Sequence, residues 1–186
     1  MQQTQDFELQ WSEISKPLNA SPIPLKFEAT LKHPKNPINI IVDIDPGGGF
    51  EGGYELTSLT AAVPIQFTSL SAPLNKDEEF TFSVHDEGLL DRVGKFFGMQ
   101  DLKTGDKDFD DSLIVKTNNL EKTKEIFSDP EIRAAFQPLK YFSLQIENSS
   151  KEEGGRTLEF LMDKAETKPD ELKKIVLAFS GILDQL

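Results

Sequence analysis

A chain of 186 residues suits one domain, or two small ones packed intimately, and is long enough to bury a substantial apolar core. It has no cysteine, which excludes disulfides, thiolate chemistry and Cys-based zinc or iron–sulfur sites. A formal net charge of −12 argues against nucleic-acid binding and against docking on an anionic membrane, and is compatible with a soluble protein or with a cationic partner.

The opening MQQTQDFELQ has neither a basic region nor an apolar run, so no signal peptide is expected. No stretch approaches the roughly 20 apolar residues of a membrane span, and the expected location is the cytoplasm. Phe7, Leu9 and Trp11 alternate with polar residues, as in a half-buried strand that Ile14 extends. Pro17, Pro22 and Pro24 mark a connection, because each denies a backbone donor to a ladder. Residues 25–31 alternate cleanly and predict a strand; His33 to Pro37 reads as a turn. The Ile/Val run at 38–44 predicts a strand covered on both faces for part of its length.

Five glycines follow within residues 47–53. No Lys-Ser/Thr comes after them and no helix follows, so a phosphate cradle is not supported. The reading is a mobile hairpin loop, with glycines supplying positive φ. Asp43 and Asp45 just before it form a carboxylate pair that could hold a divalent cation. Residues 54–67 predict one or two strands, with Pro64 near an edge or bulge, and 69–77 a loop. Phe80, Phe82 and Val84 share one face of a further strand. His33 and His85 are the only histidines, and neither lies in a metal or catalytic motif. His85 and Asp86 read as a helix cap or as exposed groups. Leu89, Leu90, Val93, Phe96 and Phe97 are spaced as a helix face that stops at Gly98.

The acidic stretch 106–111 is the most site-like. Asp106, Asp108 and Asp110 match the first, third and fifth positions of an EF-hand loop. The sixth should be Gly and is Asp111; the twelfth should be a bidentate Glu and is Thr117. Tight calcium binding is therefore not expected. The reading is a turn at Gly105–Asp106, a buried Phe109, and aspartates that are solvated or cap nearby N–H groups. Residues 112–117 predict a strand. Asn118 or Asn119 then caps a helix carrying Leu120, Thr123, Ile126 and Phe127 on one stripe. Ser128 with Glu131 reads as a capping box, with Pro130 in the first turn. Ile132, Ala135 and Phe136 make the next stripe and Pro138 ends it. Residues 141–146 and 156–162 predict a hairpin. The last helix starts near Pro169, with Leu172, Ile175, Val176, Phe179, Ile182, Leu183 and Leu186 as a continuous stripe that docks on the sheet.

Gly98-Met99-Gln100-Asp101, Thr104-Gly105-Asp106, Phe109-Asp110 and Ile114-Val115-Lys116-Thr117-Asn118 resemble a recurring pattern in uncharacterised bacterial proteins: a Gly-Asp turn, Phe-Asp, a hydrophobic strand and paired short helices. The likeness covers the middle third of the chain. It implies a bacterial domain of unknown function, sometimes associated with the membrane or envelope, and carries over no catalytic residue.

The layout, strand-rich before residue 85 and mixed after it, predicts an α+β fold with a mainly antiparallel sheet and helices packed on one face. One domain over residues 1–186 is expected, with a subdivision near residue 86 as the alternative. The 14 Phe, against one Trp and two Tyr, are assigned mostly to packing. No nucleophile–base pair, metal cluster or complete cofactor fingerprint emerges, so no catalytic residue and no cofactor is assigned. The expected function is a non-catalytic binding or scaffold domain for a protein or small-molecule partner. The alternatives are a metal-dependent hydrolase using Asp43, Asp45, Asp106, Asp108 and Asp110, and a small-ligand binder with a Phe-lined pocket.

Overall fold

The computed structural model describes residues 2–44, 66–75, 79–86, 99–149 and 155–186. Among these residues eight strands form a single antiparallel sheet: β1 (Lys26–Leu31), β2 (Ile38–Asp43), β3 (Phe67–Leu74), β4 (Phe82–Asp86), β5 (Gln100–Leu102), β6 (Leu113–Thr117), β7 (Phe142–Ser149) and β8 (Gly155–Met162). Their order across the sheet is β1-β2-β3-β8-β7-β4-β6-β5. Among the described residues five α-helices accompany it: α1 (Gln2–Ile14), α2 (Lys107–Ser112), α3 (Leu120–Ile126), α4 (Pro130–Phe136) and α5 (Pro169–Gln185). The α+β expectation, with its antiparallel sheet, holds. Among the described residues no helix is long and apolar enough to cross a membrane.

One face of the sheet carries the core. Successive strand residues point to opposite faces, and the buried set follows that parity: Ile38, Ile40 and Val42 in β2, Leu70 and Ala72 in β3, Leu158, Phe160 and Met162 in β8, Phe142, Leu144 and Ile146 in β7. Helix α5 covers this face over β3 and packs on α4. Its predicted stripe is buried from Leu172 through Leu183. Phe136 of α4 stands over the sheet centre, with ring centroids 6.0 Å from Phe142 and 5.8 Å from Phe160. Phe82, Phe109, Phe127, Phe136, Phe142, Phe160 and Phe179 are all fully buried, which is the packing role expected of them.

The opposite face is polar along one line. Cross-strand pairing places Thr30, Asn39, Ser71, Glu159, Gln145, Ser83, Lys116 and Asp101 side by side across all eight strands. Ser83 is fully buried; the others are partly or fully exposed.

Several expectations are corrected. Residues 7–14 are not a strand: Phe7 and Trp11 stack at 6.2 Å as an i, i+4 helical pair, and both are buried with Leu18. Leu9, whose alternation suggested a strand, is 68% exposed on the outer side of α1. Gln10 ties this helix to β1, its Oε1 accepting from the Lys32 N–H at 2.9 Å. Residues 69–77 are not all loop, since β3 runs from Phe67 to Leu74 between β2 and β8. Its Ser69 and Ser71 lie on the polar face, which hid the period-2 signal of Leu70 and Ala72. β2 is not covered on both faces: Asn39 is exposed and Ile41 half-buried. The cap of α4 is Asp129, whose side chain accepts from the Glu131 N–H at 2.8 Å; Ser128 instead donates to the Glu125 carbonyl at 2.6 Å. The glycine loop at 47–53, the strands expected before residue 66 and the helix expected over 89–97 lie outside the described residues.

Candidate functional site

The acidic stretch folds as a self-contained capped turn. Gly105 has φ +91°, a conformation that favours glycine. This aims three donors at the Asp110 carboxylate: the Thr104 N–H at 2.8 Å, the Thr104 hydroxyl at 2.9 Å and the Gly105 N–H at 3.0 Å. Asp106 caps α2, its Oδ1 accepting from the Phe109 N–H at 3.2 Å, and its Oδ2 accepts from Arg133 Nε at 3.2 Å. The Arg133 guanidinium also donates to the carbonyls of Phe127 at 2.6 Å and Ser128 at 2.9 Å, so α2, α3 and α4 are tied at one point. Burial alone would raise the Asp110 pKa. The donors of Thr104 and Gly105, with the charge of Lys103, outweigh it and hold the carboxyl below its usual range.

This turn is not shaped as an EF-hand loop. Residues 107–112 are helical, so side chains two apart diverge by about 200° around the axis. Asp108 is exposed, away from Asp106 and Asp110. Asp43, half-buried at the end of β2, lies opposite Lys26 and Phe67. Six strand spacings of about 4.8 Å separate β2 from β5, which leads into the acidic turn, on the order of 30 Å along the sheet. The fold therefore does not bring Asp43 together with Asp106, Asp108 and Asp110. Asp45 lies outside the described residues. Among those residues no group of three or more His, Asp or Glu could hold a metal ion.

His85 and Asp86 are both buried, not the exposed or capping groups expected from their neighbours. His85 is inside β4 and fully buried, as is Ser83, whose hydroxyl lies 3.3 Å from His85 Nδ1. This has the spacing of a nucleophile and its base, but neither group meets solvent. Asp86, the next residue along the strand, points to the other face and cannot orient the imidazole. His33 Nε2 is 3.2 Å from Asp184 Oδ1 at the end of α5, with its side chain only 3% exposed.

Both imidazoles titrate below their ordinary range. Burial is the main cause at each; Asp184 opposes it at His33, while at His85 Lys116 adds to it and Asp86 and Asp101 oppose it. The folded chain therefore prefers them neutral, and the unfolded chain takes up protons first as pH falls through about 6.5. Stability is expected to be constant above about pH 7, to fall as pH drops through 6.5, and to level off below the folded-state values. Asp110 adds a second loss at lower pH, as the unfolded carboxyl protonates near 4. Urea melts between pH 8 and pH 3 read both windows. His33→Gln is expected to flatten the upper one in part; a profile unchanged from pH 7 to pH 5 would contradict the assignment.

A more enclosed hollow was not anticipated from the sequence. It has a volume of about 240 Å³ and lies between the ends of β3, β7 and β8, the last turn of α5 and the loop joining β1 to β2. Lys35, Asn36, Asn75 and Arg156 bring polar groups to it; Leu74, Ile146, Leu183 and Leu186 bring apolar ones. Arg156 occupies a core-facing position of β8 and is 7% exposed. Its guanidinium donates to the carbonyls of Asn75, at 3.0 Å, and Phe80. The signal was available in the parity of the strand: Leu158, Phe160 and Met162 face the core, so Arg156 must face the same way. Two larger hollows, one beside α1 and one beside α3, are more open to solvent.

No protein-family model matches the chain, and no curated protein matches it either.

Proposed function

We propose that the protein is a non-catalytic binding module. The observation that carries this reading is the use of the acidic turn: Asp110 and Asp106 spend their oxygens on N–H donors of Thr104, Gly105, Phe109 and Arg133. A catalytic or metal-binding carboxylate needs its lone pairs directed at a substrate or cation; these two are directed at the fold. A bacterial, cytoplasmic setting belongs to the same proposal. It is supported by the Thr104-Gly105-Asp106 and Phe109-Asp110 pattern and by the acidic composition.

Titration calorimetry with calcium, manganese and zinc, followed by assay of phosphate and carboxylate esters with each metal, tests the reading. We expect no saturable binding in the micromolar range and no metal-dependent hydrolysis. A micromolar isotherm abolished by Asp108→Ala would overturn it. That variant is informative because Asp108 is exposed and does not cap the helix, so its loss leaves the turn intact.

A further inference from the structure

We propose that the hollow beside Arg156 binds a small amphipathic carboxylate, with its headgroup on Arg156 and Lys35 and its tail against Leu74, Ile146 and Leu183. The assignment rests on the non-catalytic binding reading and names its ligand class.

The charge requirement comes first. Arginine stays protonated in proteins and offers five donors in a planar fork. Burying such a group is costly unless it is paired and hydrogen-bonded. In the sheet, Arg156 lies opposite Leu74 on one side and Asn148 on the other, so no cross-strand carboxylate is provided. The protein acceptors described for it are two neutral carbonyls, of Asn75 and Phe80, which leave part of the fork unused. Lys35 brings a second positive charge to the same hollow in a chain whose net charge is −12. Two cations converging on one cavity in an acidic protein favour an anion there, and the planar fork matches a carboxylate in bidentate fashion.

The remaining walls set the rest of the ligand. Leu74, Ile146 and Leu183 offer aliphatic surface next to the charge, which a bare inorganic anion would leave unused. At about 240 Å³ the hollow exceeds the roughly 150 Å³ cavity that accepts benzene, and falls short of the roughly 300–1,000 Å³ of drug-sized sites. A short unbranched or branched aliphatic acid meets both conditions.

The test is titration calorimetry of the full chain with hexanoate, hexanol and inorganic phosphate. Hexanoate is expected to bind with a Kd of about 1 mM or tighter, and hexanol and phosphate at least tenfold more weakly. Lys35→Glu is expected to weaken hexanoate by tenfold or more; Lys35 is exposed, so the variant keeps the fold. Arg156→Lys keeps the charge but loses the fork and is expected to weaken it as well, with far-ultraviolet circular dichroism checking that it remains folded. No hexanoate binding, equal binding of hexanol, equal binding of phosphate, or an unchanged Kd in Lys35→Glu would each overturn the proposal. Saturable metal binding at the acidic turn would instead remove the reading beneath it. The two experiments share neither residue nor ligand.

Discussion

Phe179→Ala is expected to destabilise the protein by about 3–5 kcal/mol, the usual range for truncating a buried ring in a core that cannot collapse around the loss. Phe179 is fully buried near the middle of α5, with Val176 and Leu183 buried on either side along the helix. The helix is held along its length. Lys173 Nζ reaches Glu8 of α1 at 2.7 Å, and Gly181 faces α4, where an added Cβ would stand in ordinary contact at 3.6 Å from Ile132 Cδ1. A loss of this size is a large share of the roughly 5–15 kcal/mol that stabilises a typical domain. Urea denaturation of the protein and the variant at matched concentration reads it directly. If the cost were below about 1 kcal/mol, as for ordinary surface substitutions, α5 would be a detachable arm rather than the lid of the core.

Phe127→Ala should cost about as much, roughly 3–5 kcal/mol, for a different reason. Phe127 follows α3 and joins β4 to α2 through its ring. Its centroid lies 5.9 Å from Phe82 of β4, edge-on at 80°, and 5.7 Å from Phe109 of α2, tilted at 36°. Such pairs add about 0.5–1.5 kcal/mol beyond the area they bury. Its backbone carbonyl is held by Arg133 in either variant, so the change tests the ring and not the turn. Phe127→Leu should cost less, because most of the volume is kept. A double-mutant cycle of Phe127→Leu with Phe109→Leu should show a coupling of about 0.5–1.5 kcal/mol. A coupling near zero would mean that the rings act only as filler between α2 and the sheet.

Where one face of an element was apolar and the other plainly polar, its type was legible from spacing alone. α5, α3, α4 and the β7–β8 hairpin are of this kind. Capping was legible as chemistry but not always to the residue: Asn119 caps α3 as one of two candidates, whereas Asp129 takes the place assigned to Ser128 at α4. Misreadings arose where two periods coincided or where side chains were small. Phe7, Leu9 and Trp11 satisfy period 2, yet Phe7, Trp11 and Ile14 satisfy the helical spacing, and only burial decides between them. β3 carries serine, alanine and proline, a composition of loops, because its outer face belongs to the polar row. β5, three residues long, is too short for any period and exists through its pairing with β6. The acidic turn was half legible. The buried Phe109 and the capping aspartate were expected, but Asp110 closing on Thr104 and Gly105 depends on a backbone path that only the folded chain supplies. The Arg156 hollow draws on the β1–β2 loop, β3, the β7–β8 hairpin and α5, which are far apart in sequence, and no local motif announces it.

The β3–β8 seam has a consequence for how the chain acquires its structure. Thr68 pairs with Met162 and Leu74 with Arg156, so the middle of the sheet is closed by strands far apart along the chain. Closing such a loop loses chain entropy before any ladder bond is gained. Antiparallel domains dominated by distant pairings accordingly fold on the millisecond-to-second scale, slower than helical bundles. During synthesis β1, β2 and β3 emerge first, and β3 stands as an open edge until β8 follows. Its exposed ladder then offers Leu70 and Ala72 to any other strand in reach. Ser69 and Ser71, on either side of Leu70, interrupt the apolar run on that edge, which lowers its tendency to pair with a second chain during the wait.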